Sequence, residues 1–145
     1  MGPVDLLWGL NLLLGRAAAV GADFILAGPV SLWLKGATPP PREARFILVT
    51  SRDHMPHLLK ALEVGAEKLD WGGEWASVEG KAARLLLRGM IVEILVDPKI
   101  GGRSVSASRL ARESEILLVG GYPARLAPMW FEVLLSEALE RGGEE

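Results

Sequence analysis

The sequence predicts an α+β fold, a mixed sheet with helices packed on it. Apolar runs of strand length alternate with segments of helical periodicity through the first half of the chain. Two close-set strand pairs follow, one split by Arg88–Gly89 and one by Gly120–Gly121. The resulting order, α-β-α-β-α-β-β-(α)-β-β-α, departs from a regular βαβ alternation. The chain has 145 residues, 50% of them hydrophobic, which suits one domain with a sizeable core.

Residues 4–20 read as a helix that is apolar on most faces, with Leu6, Leu10, Leu13, Leu14 and Ala17 on one stripe. Such a helix must be buried in its own core or against a partner, so self-association through it is expected. Residues 22–27 form a short strand. Pro29 then suits the first turn of a helix that reaches Leu34 and ends at Gly36. Residues 38–43 (TPPPRE) are a stiff loop, because prolines cannot continue a helix. Residues 45–50 (RFILVT) are a continuous apolar strand of the kind found centrally. Ser51 or Asp53 can cap the next helix, in which Met55, Leu58, Leu59 and Leu62 share a face before Gly65 closes it.

Residues 67–80 read as irregular, and strands at 82–87 and 90–96 as a hairpin. Asp97–Pro98 and Gly101–Gly102 should break the chain before a polar helix at 104–112. Strands at 116–119 and 122–126 flank Gly120–Gly121, and Pro123 should push the second of them to an edge. Pro128 starts a last helix with Phe131, Leu134, Leu135 and Ala138 on one face.

Composition narrows the chemistry. With no cysteine, disulfides, thiolate zinc sites and cysteine nucleophiles are excluded. The formal net charge of -2 offers no global attraction to a nucleic-acid backbone. The chain has no Gln, and Asn11 is its single Asn, a depletion that suits a hot-living source. Asp5 stands where a signal peptide would be basic, and Asp5, Asn11 and Arg16 interrupt any membrane span. A cytoplasmic protein is the expectation.

Residues 24–36 (FILAGPVSLWLKG), 42–49 (REARFILV) and 91–97 (IVEILVD), with the closing hairpin and helix at 115–128, carry a resemblance. Order and spacing resemble the minimal nucleotidyltransferase superfamily, also found as the antitoxin half of some toxin–antitoxin pairs. The likeness runs from about residue 4 to residue 139. The resemblance implies a strand, a Gly-Gly or Gly-Ser opening a short helix, and a strand bearing an Asp-x-Asp pair. A later hairpin strand bears a third carboxylate. The paired acids hold Mg²⁺ ions that bridge the triphosphate and activate the attacking hydroxyl.

This chain departs from that pattern. The second family glycine or serine falls at Pro29, which has no N–H to offer. Aligned on Ile47, Leu48 and Val49, the paired acids fall at Ala44 and Phe46. The third falls at Glu93, which is either a surviving metal ligand or a solvated strand residue. Arg45 alternates with Ala44 and Phe46 and should face the other side of the strand.

Gly28, Ser31 and Arg42 are the candidate nucleotide-binding residues, and Glu93 with Glu43 the candidate metal ligands. Gly28 and Ser31 fit a tight strand-to-helix turn better than an anion pocket. Asp53 and Asp97 could be relocated ligands, or a helix cap and an Asp-Pro turn. His54 and His57 are three apart, but with no third histidine a structural role fits better. Trp71 and Trp75 could stack on a base or pack over one end of the sheet. Residues 101–104 (GGRS) could meet phosphate or be a plain loop.

The expectation is a degenerate nucleotidyltransferase-like protein without catalysis or cofactor, a nucleotide- or protein-binding regulatory module with an antitoxin-like role. The alternative is an active Mg²⁺-dependent enzyme that joins Glu93 to Glu43, Asp53 or Asp97.

Overall fold

The run Arg45–Thr50 forms strand β2 and sits in the middle of the sheet, as its unbroken apolar character predicts. The computed structural model describes residues 2–144, with the backbone alone for Pro3, Val4 and Glu144. Ahead of β2 come α1 (Pro3–Ala19), β1 (Ile25–Ala27) and α2 (Pro29–Leu34). After it come α3 (Met55–Leu62), β3 (Ala66–Lys68), a 3₁₀ turn (Gly73–Trp75), β4 (Val78–Leu87) and β5 (Met90–Ile100). The chain closes with β6 (Arg103–Ser104), α4 (Ala107–Glu113), β7 (Glu115–Val119), β8 (Tyr122–Leu126) and α5 (Met129–Glu144).

The sheet order is β3-β4-β5-β2-β1-β8-β7, and β6 pairs with β5 beside that path. The β2–β5 and β1–β8 pairs are parallel and the others antiparallel. Strand period two divides β2 between two cores. Phe46 and Leu48, with Ala44 just before the strand, pack with Leu6, Leu10 and Leu13 of α1 and with Leu58 and Leu62 of α3. Ile47 and Val49 face the other way, toward Trp75, Leu110 of α4, and Phe131 and Leu135 of α5. The stripe expected on α1 is fully inside, each leucine contributing about 1.5–3 kcal/mol of burial. Its back is not, for Leu7 and Trp8 remain exposed. Among the described residues no helix is long and apolar enough to cross a membrane.

Several boundaries differ from the sequence reading, each for a local reason. The 67–80 segment is not wholly irregular, because β3 adds to the edge of β4 through Glu67↔Leu86 and Lys68↔Leu85. Asp97 and Pro98 do not end β5. The ladder shifts register there, with Asp97 at φ 37 and Gly80 at φ 90 on the facing strand. This is a bulge that absorbs the proline. Ser51 caps the approach to α3, its Oγ accepting from the His54 N–H at 3.3 Å, whereas Asp53 stands exposed in the same turn. Pro123 does not make β8 an edge, since β8 lies between β1 and β7. Val119↔Tyr122 closes the two-residue turn, so Pro123 falls in the next, non-hydrogen-bonded pair. Its missing N–H would point toward β1, which pairs with β8 only at Arg125 and Leu126.

The bulge gives a direct test. A Cβ on Gly80 would lie 2.5 Å from the Val96 carbonyl oxygen, at a φ that disfavours any side chain. Gly80→Ala is expected to destabilise the fold by about 2 kcal/mol or more, read from the urea midpoint. Gly73→Ala meets open space and should stay within about 0.5 kcal/mol of the parent.

Candidate ligand cleft

The cleft forms where β1 ends and β2 begins. Antiparallel pairing sets Ala27 opposite Ile47. Gly28 then turns the chain into α2 at φ 82. Only glycine fits there, because a Cβ would lie 2.7 Å from Ile47 Cδ1. On the other side of β2 the parallel ladder sets Ile47 beside Glu93. Helix α5 crosses over this end of the sheet and roofs a cavity of about 350 Å³. Gly28, Arg45, Ile47, Glu74, Glu132 and Leu135 are among its lining residues.

At the base lies a charge cluster shared by three neighbouring strands. Glu93 of β5 is fully buried. Arg45 of β2 donates from Nε to Glu93 Oε1 at 2.5 Å, and Arg84 of β4 donates from Nε to Oε2 at 3.0 Å. Arg84 also donates to the Asp70 carbonyl at 2.8 Å. The Arg45 guanidinium sits 5.5 Å from the Trp75 ring centre and 3.9 Å from the Glu74 carboxylate. Trp75 in turn meets Trp71 edge-on with ring centres 5.0 Å apart. The two tryptophans therefore pack over the end of the sheet rather than presenting a free stacking pair.

Glu132 is the second buried acid. It projects from the first turn of α5, and its Oε1 accepts the Gly28 N–H at 2.9 Å. Its Oε2 is buried without a hydrogen-bond partner. Burial pushes its pKa up from 4.5 to about 7, while the Gly28 N–H and the Lys35 charge pull the other way. The Lys35 ammonium itself donates to the Ala127 carbonyl.

The sequence-predicted residues are only partly brought together. Gly28 lines the cleft, and Ser31 is buried with its hydroxyl unpartnered. Arg42 and Glu43 are exposed in the loop before β2. Asp97 accepts the Ala107 N–H at 2.8 Å and so fixes the start of α4. His54 accepts the Asp23 N–H through Nδ1, and His57 is exposed. Glu93 is neither solvated nor free, because both its oxygens accept from guanidinium N–H groups. Among the described residues no group of three or more His, Asp or Glu could hold a metal ion.

The alignment of the paired acids needs correction by one residue. Partners in a parallel ladder share a face, so the β2 positions on the Glu93 face are Arg45 and Ile47. Ala44 and Phe46 face the α1 core instead. Three residues of the site escaped the sequence reading. Arg84 was accessible to it: counting back from the Arg88–Gly89 turn sets Arg84 opposite Glu93. Glu74 and Glu132 carried no such signal, since tertiary packing alone brings them to the cavity.

No protein-family model matches the sequence, and no curated protein matches it. Solved structures do. A candidate nucleotidyltransferase from Thermotoga maritima superposes with a TM-score of 0.74 at 16% identity, over 99% of this chain and 90% of that one. The chain has the nucleotidyltransferase fold. A structure of ANT(2'')-Ia in complex with adenylyl-2''-tobramycin matches with a TM-score of 0.61 at 9% identity, over 96% of this chain and 77% of that one. A solution structure of the antibiotic-resistance factor ANT(2'')-Ia gives 0.58 at 12%, over 91% and 69%. Within this nucleotidyltransferase fold the β2–β5 pairing stands as the resemblance requires, with Ile47 beside Glu93.

Two outcomes are expected. Phe46→Asp puts an unpaired carboxylate into the α1 core and should abolish cooperative unfolding, whereas Ile47→Asp, facing Arg45, should keep a cooperative transition at a lower midpoint. The second concerns pH. Between about 4.5 and about 7 the folded chain keeps on Glu132 a proton that the unfolded chain has released. This group therefore lowers stability as pH rises through that window. Glu132→Gln should gain up to about 3 kcal/mol on the parent at pH 8 and almost nothing at pH 4, read by denaturant titration at both pH values.

Proposed function

We propose that this chain is a non-catalytic protein of nucleotidyltransferase fold that works by binding, as a regulatory module. One observation carries the reading: on the face where that fold implies a pair of metal-holding acids, β2 offers Arg45 and Ile47. A divalent cation needs converging ionised carboxylates. Here the neighbouring acid, Glu93, is neutralised by Arg45 and Arg84, and Arg45 would repel an arriving cation. The residues present do not fit the Mg²⁺ ion that the fold implies.

The cleft is also a poor match for a triphosphate. Pro29 has no N–H, and the Gly28 N–H is taken by Glu132. Glu74, Glu132 and Glu140 line the cavity, while Arg45 is already paired. A neutral or basic group of a partner protein suits these walls better than a polyanion. An antitoxin-like role, restraining a partner protein, is the form of this reading that the family resemblance implies. The rival is a Mg²⁺-dependent transferase with displaced acids, supported by the descriptions of the structural neighbours. It needs Glu43, Asp53 or Asp97 to join Glu93, against the exposure of the first two and the capping bond of the third.

The test is calorimetric titration of ATP, GTP and CTP with Mg²⁺, run beside an assay for transfer of labelled nucleotide to protein and RNA. No transfer is expected, and any nucleotide affinity should rise as pH falls from 8 to 6, when Glu132 takes up a proton and the cavity wall loses a negative charge that would repel phosphate. Metal-dependent transfer would overturn the reading.

A further inference from the structure

The β7 edge of the sheet lies away from the cleft and is built unlike a protected edge. Natural edge strands carry lysine, proline or a bulge, or are covered by another element. β7 is Glu115–Val119, with a single charge at its start and Ile-Leu-Leu-Val after it. It ends the sheet, paired on one side only. Leu118 is 72% exposed and Ile116 58%, both on the face turned from α1. On the other face Leu117 adjoins Leu7 and Trp8, the latter 54% exposed, across a groove of about 430 Å³.

The backbone is open in a matching way. Val119↔Tyr122 and Leu117↔Ala124 are the hydrogen-bonded pairs of the β7–β8 hairpin, alternating with Leu118↔Pro123 and Ile116↔Arg125. The N–H and C=O groups of Ile116 and Leu118 therefore point out of the sheet. A second β7, antiparallel about a two-fold axis through Leu117, sets Ile116 against Leu118 of the second copy and the reverse. All four outward groups then find partners. The same register places Ile116 and Leu118 of both copies together on one face and the two Leu117 side chains together on the other. Glu115 falls opposite Val119 of the second copy, so no like charges meet.

We propose that the chain forms a two-fold dimer through β7, joining two sheets into one continuous sheet, with Leu7 and Trp8 of α1 flanking the seam. The exposed fractions of Ile116, Leu117, Leu118, Leu7 and Trp8 amount to about 500 Å² of apolar side chain per copy. The pair reaches ~1,000 Å² before any backbone is counted, the size at which a specific interface becomes stable. An isologous contact also closes on itself, which limits assembly to two.

The experiment is light scattering on the eluting protein, with amide exchange followed at low and high concentration. The expected mass is that of two 15.6 kDa chains. Leu118→Lys should weaken dimerisation on the order of 100-fold and elute as a monomer with an unchanged circular dichroism spectrum. Val64→Lys, at an exposed apolar site elsewhere, should remain a dimer. Exchange at the Ile116 and Leu118 amides should slow with concentration, whereas the Leu117 amide, already bonded to β8, should be slow throughout. A monomer for the parent chain at about 100 µM, or a dimer that survives Leu118→Lys, would overturn the proposal.

Discussion

Glu93 sits fully buried between two guanidinium groups, and three adjacent strands are tied together by that contact. Arg84 comes from β4, Glu93 from β5 and Arg45 from β2. A carboxylate taken out of water this completely is tolerable only when its lone pairs are occupied and its charge is met. Both conditions are satisfied by side chains that arrive through sheet register alone. The contact also orients Arg45 beneath Trp75, which holds the 3₁₀ turn against the end of the sheet. The floor of the cleft is thus set by an ion cluster inside the fold, whose charges are paired with one another.

The upper wall follows the same logic. The amide at the start of α2 is satisfied by a carboxylate from α5, so the chain meets its own donor with its own acceptor. That arrangement leaves one Glu132 oxygen buried and bare, and this is why the group holds its proton toward neutral pH. Apolar Ile47 and Leu135 fill much of the remaining wall. Shape from the nucleotidyltransferase fold is present, and its walls here combine those apolar side chains with the acids Glu74, Glu132 and Glu140.

What could be read from the sequence was what local physics decides. The α1 stripe, the central position of β2, the two glycine-containing turns and the Ser51 cap before α3 all depend on residues a few positions apart. The facing of β2 could not be read, because Ala44, Phe46, Ile47, Leu48 and Val49 are apolar on both sides and alternation carries no direction. Only the ladder to β5 chose which side meets Glu93. Pro123 and Pro98 were misjudged for a related reason. A proline forbids one hydrogen bond, and whether a strand needs that bond depends on where its neighbour stops or bulges. The Glu132 contact joins residues more than a hundred positions apart and had no local trace.

Gly28 carries a last consequence. The residue is held to glycine by its left-handed backbone and by Ile47 Cδ1 standing where a methyl would go. Neither requirement involves phosphate. A glycine at this strand-to-helix turn is thus a demand of backbone and packing, and its presence alone says nothing of phosphate chemistry.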